Sequence, residues 1–494
     1  MSLTSKLFRL YLNYRLRRIA HFRRHPHEVQ QEMFRKRIAA GRQTLYGRTC
    51  GLDKVTTYEQ FQAAVPVVDY EAFKPYVERM LSGERSVSAP GRVSYYARSS
   101  GTTADRSKYI PITQHSIYHN HTLGMRDVVA MYLDAFPQSK LLDGKTLTLG
   151  GTCCREGNNL VGDLSGILLH ETSRWAGSLR TPKIDTALLA DFGQKIERIS
   201  RESTRERVTA FAGVPSWNLE LMHGVLEHTG KHNLLEVWPD LELFLHGGVE
   251  FAPYRRAFEE LIPSADMHYW ANYNASEGFF AAQDDPTRDD MLLMLDYGTF
   301  FEFRNGDEVV PLEGVEVGKT YAMIITSDNG LWRYEIGDTV TFTSTDPYRI
   351  RFAGRTRQFI NVFGEELIVD NADRALVEAC RICGAVVRDY SVAPCYMDID
   401  SRGAHEWIIE FEQQPESIER FSEELDEALR RVNSDYDAKR HSTIERQHLT
   451  LVDRGFFVQW MRERGKNKVP RLVNDRRVAD DMHRFMEQLN QVNK

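Results

Sequence analysis

The segment from Lys145 to Tyr273 constrains this chain more than any other, because short apolar runs alternate there with stretches of helical period. TLTLGG, VTAFAGVPSW, LELFLHGGVEF and MHYWANYNAS read as buried strands, and ALLADFGQKIERIS, WNLELMHGVLEHTG and AFEELI between them read as helices. Parallel strands need a crossover long enough to bring the chain back, and a helix is the usual one. The rhythm therefore predicts an α/β fold with a doubly wound sheet, whose ligands lie beyond the carboxyl ends of the strands.

The pattern changes twice further on. MLLMLDYGTFFEFRN, VGKTYAMIITSDNG, LWRYEIGDTVTF and YRIRFAGR alternate with period two between turn residues, which predicts a small antiparallel, barrel-like sheet over about 290–354. Gly354–Arg355 ends it. Beyond lie QFINVFGEEL, the helix NADRALVEACRICG, the strands VVRDYSVAPCYMDI and HEWIIEFEQQ, and a charged helix from Glu416 to Asn433. These predict a small C-terminal α/β domain over 355–494, separate from a large domain over 1–354. Residues 1–50 are helical and basic; Leu7, Leu10, Tyr11 and Tyr14 recur at helical spacing with arginines between them. That is an amphipathic helix packed on the body with its basic face in solvent.

At 494 residues the chain has room for two or three compact units, and 42% hydrophobic residues supply a large core. A net charge of −7 argues against a dedicated nucleic-acid binder. No apolar run approaches the roughly 20 residues that span a bilayer, and arginines break up the N-terminal stretch too often for a signal peptide. Six cysteines in so long a chain read as a reduced, cytoplasmic protein. The Cys380–Cys383 spacing fits one face of a helix end, and Cys153–Cys154 reads as two small buried residues. His115 and His119 lie four apart but lack a third ligand, so they read as surface histidines of the helix from His115 to Phe136. Arg126 on that helix reads as solvated.

Four stretches carry chemistry. Tyr95–Thr113, YYARSSGTTADRSKYIPIT, gathers Ser99, Ser100, Thr102, Thr103 and Lys108 around Gly101. Alone it is either a hairpin turn or a polyphosphate cradle of hydroxyls, backbone N–H groups and a cation. It lacks the GKS or GKT ending of a P-loop. Tyr273-Asn274-Ala275-Ser276-Glu277 follows a strand, so an aromatic, a hydroxyl and a carboxylate lie near a sheet edge, where they can stack a base, bind phosphate and hold Mg²⁺. In Trp332–Asp338 a glycine precedes Asp338, a carboxylate suited to ribose hydroxyls. Arg464–Arg471 places Lys466, Lys468 and Arg471 on a glycine-containing loop. No Ser-His-Asp or Cys-His grouping is legible.

The order of these four stretches resembles that of the adenylate-forming superfamily of acyl-CoA synthetases, peptide-synthetase adenylation domains and luciferases. More closely, the chain is similar to the auxin-responsive (Gretchen Hagen) acyl acid amido synthetases, bacterial branch, over nearly its whole length. SSGTTADRSKYIP looks like that family's phosphate loop, YNASEGFF like its aromatic-hydroxyl-Glu motif, LWRYEIGD like its Tyr-x-x-Gly-Asp motif and GKNKVPR like its C-terminal Lys-x-Pro-Arg; GVPSW and FLHGGVEF also match. Two departures stand out: Ala104-Asp105 replaces the usual Gly-Gly, and Glu335 stands where many plant members carry Arg.

The resemblance implies ATP-dependent activation of a carboxylic acid as its acyl-adenylate, then transfer to an amine such as an amino acid. It implies ATP phosphates held by Ser99, Ser100, Thr102, Thr103 and Lys108, adenine facing Tyr273, phosphate on Ser276, Mg²⁺ on Glu277 and ribose on Asp338. It further implies a hinge at Gly354–Arg355 and a catalytic Lys468 on a mobile small domain that rotates between half-reactions. The implied partners are small molecules, with no nucleic acid and no stable membrane insertion. The alternatives are a CoA ligase sharing the first half-reaction and a non-catalytic nucleotide or acyl-ligand binding protein.

Overall fold

The computed structural model describes residues 3–99, 108–248, 251, 254–355, 359–360, 365, 367–396, 403–440, 444–473 and 475–492. The chain divides into two compact units, one of Met1–Gly248 with Ser264–Phe352, the other of Val249–Pro263 with Ala353–Lys494. The smaller unit thus takes in a short segment from the middle of the sequence. Among the described residues no helix is long and apolar enough to cross a membrane.

The larger unit is built on a twelve-stranded mixed sheet. At one end the strands Arg180–Thr181, Lys145–Thr148, Val208–Gly213, Leu243–His246 and His268–Ala275 lie side by side and all parallel. Val208–Ala212 and Leu243–His246 are buried at every position, which is why these strands read as continuous apolar runs instead of alternating ones. The helices Phe192–Ser203 and Pro215–Thr229 provide crossovers. After Ala275 the chain reverses, and Gly278–Ala282 runs back antiparallel. The period-two strands expected after residue 290 then continue this same sheet, joined through Met291–Leu293. A second sheet of four strands holds the hairpin Tyr95–Ser99 and Lys108–Ile112.

The N-terminal helix Leu3–Arg24 departs from its expected orientation. Leu12, Ile19 and Phe22 are buried, and so is Arg15, whereas Tyr14 is 61% exposed. Arg15 Nε and Nη2 donate to the Asp127 carboxylate at 2.8–3.2 Å, and Tyr297 Oη donates to the same carboxylate at 2.7 Å. A buried carboxylate must be neutralised, so it draws one arginine out of the basic face. The side chains of Leu7, Leu10 and Tyr11 lie outside the described residues. The vicinal cysteines also differ from expectation. Cys154 is exposed and Cys153 half-buried, because their strand Cys153–Glu156 forms an edge of the four-stranded sheet. Cys380 and Cys383 pack against the smaller unit's core from the end of the helix Val369–Cys383.

The smaller unit is built on a three-stranded sheet with helices on both faces. Val386–Cys395 pairs antiparallel with Ala404–Gln413, which pairs parallel with His448–Val452. Alternation along the central strand sends Trp407, Ile409 and Phe411 to one side, where Leu376, Phe421, Leu425 and Leu429 cover them. Ile408 faces the other side and packs with Phe456, Trp460, Met482 and Phe485.

Candidate active site

Three of the four chemistry-bearing stretches are built into the larger unit. The hairpin pairs Ser99 directly with Lys108 at one end of a short antiparallel ladder. The Lys108 ammonium lies 5.5 Å from the centroid of the Tyr70 ring, and the Tyr70 hydroxyl accepts the Tyr109 N–H at 2.9 Å. Ser100, Thr102 and Thr103 lie outside the described residues, and so does the Ser99 side chain.

The second hairpin strand leads straight into a helix whose first turn is capped by Thr113, its hydroxyl accepting Ser116 N–H at 3.1 Å. A π turn, Ile117–His121, interrupts this helix before it continues as Thr122–Ala135. The inserted residue turns Asn120 and His121 onto the sheet. Asn120 accepts the Phe279 N–H at 2.6 Å and donates to the Tyr297 carbonyl at 3.0 Å. His121 Nδ1 lies 2.8 Å from Asn274 Oδ1. His121 is fully buried, and burial pulls its pKa down to about 4, so at neutral pH it is an uncharged ring donating from Nδ1. Asn274 and Phe279 flank the two-residue turn Ser276–Glu277, which joins His268–Ala275 to Gly278–Ala282, with Ala275 paired to Gly278. The π turn therefore grips both arms of the hairpin that presents Ser276 and Glu277.

A third element ties these two together. The loop after Thr320–Ser327 carries Asp328 and Asn329, and the Asn329 side chain is fully buried. Asn329 Oδ1 accepts the Thr113 N–H at 2.9 Å, and its Nδ2 donates to the Glu277 carbonyl at 3.1 Å. Asp328 Oδ2 lies 2.7 Å from His115 Nδ1, and the His115 ring stacks on His119 at 4.4 Å. His115 stands on the surface as expected, 58% of its side chain exposed, and pairs there with Asp328. Burial, then neighbouring His115, lowers the pKa of His119. Among the described residues no group of three side chains forms a metal cage.

The sequence places Tyr273 and Asp338 in different stretches, and the fold joins them. Tyr273 Oη donates to Asp338 Oδ2 at 2.5 Å, and the Tyr273 ring packs edge-on against Phe280 and Phe352. Asp338 is aimed there by a bulge. Between the pairs Ala322–Thr339 and Ile324–Glu335 the strand Tyr334–Thr345 has two more residues than its partner, and Gly337 within the excess has φ +87°. Just ahead, Arg333 holds φ +40°, fixed by donation to Glu302 at 2.9–3.1 Å and to the Val65 carbonyl at 2.8 Å. Glu335 pairs with Arg304, so its charge is balanced locally.

At the expected hinge, Gly354 has φ +132°, and the Arg355 side chain lies outside the described residues. Lys468 belongs to the smaller unit, exposed in the loop after the helix Phe456–Glu463. Arg471, three residues on, packs there against Asp389, Tyr390 and Tyr254 with 12% of its side chain exposed.

Sequence reading missed Asn120, His121, Asp328 and Asn329. The run Ser327-Asp328-Asn329-Gly330 carries only a turn signal, and a π turn leaves no signature in apolar spacing. The Arg471–Tyr254 contact has no sequence signal at all.

Comparison with known proteins gives a consistent result. The model of the GH3 family N-terminal domain matches residues 15–194 and 155–267, that of the GH3 central domain residues 292–355, and that of the GH3 C-terminal domain residues 370–477. The indole-3-acetic acid-amido synthetase GH3.8 of Oryza sativa subsp. indica is 23% identical over 496 residues, covering 82% of this chain and 80% of its own. The indole-3-acetic acid-amido synthetase GH3.4 of Arabidopsis thaliana is 23% identical over 444 residues, with 74% of each chain covered. In fold, the chain is similar to the solved GH3.15 acyl acid amido synthetase, with a TM-score of 0.79, 18% identity and 93% of each chain covered. It is also similar to 2-hydroxyisobutyryl-CoA ligase in its postadenylation state, with a TM-score of 0.62, 14% identity and 94% and 91% coverage. The expected bacterial branch is overturned: the relatives that the chain matches are plant enzymes, of Oryza sativa and Arabidopsis thaliana.

Proposed function

Because this chain belongs to the GH3 family, we propose that it is an adenylate-forming ligase that activates a carboxylic acid with ATP and then passes the acyl group to an amine, an amino acid above all. The observation that carries this reading is the set of hydrogen bonds that ties three of the chemistry-bearing stretches to one another. Asn329 links the start of the helix after the Lys108 strand to Glu277, and Tyr273 links that motif to Asp338. A nucleotide needs its phosphates, cation and ribose held at fixed spacing, and these links fix the spacing of the groups that would hold them.

In this reading Ser99, Ser100, Thr102, Thr103, Lys108 and Ser276 bind the ATP phosphates, Tyr273 faces the adenine and Asp338 holds the ribose. Mg²⁺ carried on nucleotide phosphates needs only one or two carboxylates, and Glu277, half-buried at a turn tip, has the chemistry to supply one. Bound there, Mg²⁺ would neutralise phosphate charge. The attacking carboxylate is already anionic, so the first half-reaction needs no general base. It needs cations where charge accumulates, and Lys468 is the residue assigned to that task. Gly354–Arg355 serves as the hinge between the larger unit and the smaller one, which also takes in Val249–Pro263. In the second half-reaction a neutral amine attacks the acyl carbon and AMP departs. All six cysteines are free thiols, which fits a reducing compartment, so a cytoplasmic location completes the reading.

The test is an ATP–pyrophosphate exchange screen over aromatic, fatty and amino acids, followed by incubation of the acyl-adenylate with amino acids or with CoA. Exchange with one acid class and product with amino acids is the expected result. Thioester in place of amide would make it a CoA ligase, and a panel with no exchange at all would leave a binding protein.

A further inference from the structure

We infer that Tyr254 is a positioning residue for Lys468, holding through Arg471 the loop on which that lysine stands. The inference rests on the role proposed above for Lys468, and it adds a residue that no motif contains.

The loop is fixed at both ends. On its upstream side the helix Phe456–Glu463 ends with Gly465 N–H donating to the Arg462 carbonyl at 3.3 Å and Lys466 N–H donating to the Met461 carbonyl at 2.8 Å. The Lys466 ammonium lies 5.2 Å from the centroid of the Trp460 ring. On its downstream side the chain lies along the strand Val386–Cys395. Ser391 Oγ donates to the Pro470 carbonyl at 2.6 Å, Val392 N–H to the Arg471 carbonyl at 2.8 Å, and Val473 N–H to the Val392 carbonyl at 3.0 Å. Lys468 stands exposed between these two anchors.

The downstream anchor depends on a cation whose side chain is only 12% exposed. The Arg471 guanidinium lies 4.5 Å from the Tyr390 ring centroid and 6.0 Å from that of Tyr254. Its Nη1 donates to the Tyr390 carbonyl at 2.9 Å and to Asp389, and its Nη2 donates to the Tyr254 hydroxyl. Asp389 and Tyr390 belong to the strand the loop already follows. Tyr254 does not. It lies 217 positions before Arg471, in the mid-chain segment Val249–Pro263, and is itself only 1% exposed. Without its hydroxyl one guanidinium N–H would be left buried without an acceptor, and the arginine would have to shift to recover one. Such a shift moves Pro470 and Val469, and with them Lys468.

The experiment is a double-mutant cycle on pyrophosphate exchange with Tyr254→Phe, Lys468→Ala and the double variant. Phenylalanine keeps the ring and removes only the hydroxyl. Tyr254→Phe is expected to lower the kcat of exchange ~10-fold, the weight of one hydrogen bond to a charged group, with the KM for ATP held within about 2-fold. In the Lys468→Ala background it should cost nothing further, because both changes act through one ammonium. Equal losses in the two backgrounds, or no loss with Lys468 present, would overturn the inference alone. Exchange at the wild-type rate in Lys468→Ala would instead overturn the role of Lys468, and this inference with it. Amide hydrogen exchange gives a readout independent of turnover: residues 466–469 should exchange faster in Tyr254→Phe while the Trp407 strand does not. Unaltered exchange at 466–469 would count decisively against the inference.

Discussion

Tyr273 donates a 2.5 Å hydrogen bond from its hydroxyl to Asp338, joining two motifs 65 residues apart at a point where Asp338 is only 4% exposed. A buried carboxylate that accepts from a phenol keeps a fixed orientation. The bulge around Gly337 and the left-handed Arg333 before it serve the same end from the other strand. The two residues are therefore expected to act together on the nucleotide.

If Asp338 holds the ribose, Asp338→Ala raises the KM for ATP in pyrophosphate exchange by ~10- to 100-fold, since it removes both a charged acceptor and the partner of Tyr273. Tyr273→Phe keeps the ring and loses only the orienting bond, so its effect on the same KM is smaller, about 3- to 10-fold. A larger effect from Tyr273→Phe than from Asp338→Ala would reverse the assignment.

If Lys468 meets the charge that builds up in adenylation, Lys468→Ala slows that step by roughly 100-fold or more, the usual cost of losing one such donor. Transfer from a pre-formed acyl-adenylate should be affected far less. Comparing the two half-reactions in the same variant checks this.

Asn329→Ala leaves the Thr113 N–H and the Glu277 carbonyl without their buried partner, at a cost of about 2–4 kcal/mol in stability. A urea midpoint within error of wild type would mean that the bridge is replaced by other contacts. Exchange activity in this variant should fall even where it is fully folded, because the Lys108 hairpin and the Glu277 turn lose their common tie.

His121 makes stability depend on pH. Its folded pKa of about 4 lies below the ordinary histidine value of 6.5, so between these values the unfolded chain binds a proton that the folded chain refuses. Its contribution is fully present above pH 6.5 and drains away as pH falls towards 4, about 3 kcal/mol in all. In His121→Phe the drop in urea midpoint between pH 7 and pH 4.5 should shrink accordingly. An equal drop in variant and wild type would show that other groups account for the acid sensitivity.

The sequence by itself determined the α/β class, the parallel strands and the four chemistry-bearing stretches. Strands buried on both faces must be apolar throughout, and phosphate chemistry needs hydroxyls, glycine and cations close together in the chain. Only the tertiary structure decided which polar residues face inward. Helical spacing marked Tyr14 as packed and Arg15 as solvated, yet the buried Asp127 comes from a helix over 100 residues away and takes Arg15. Asp328 and Asn329 sit in an ordinary turn sequence, and become the tie between two motifs because three loops converge on them. The same holds for Tyr254, whose partner Arg471 lies 217 residues on. Apolar pattern is a local property of the chain, whereas a buried polar group is satisfied by whatever the fold brings beside it.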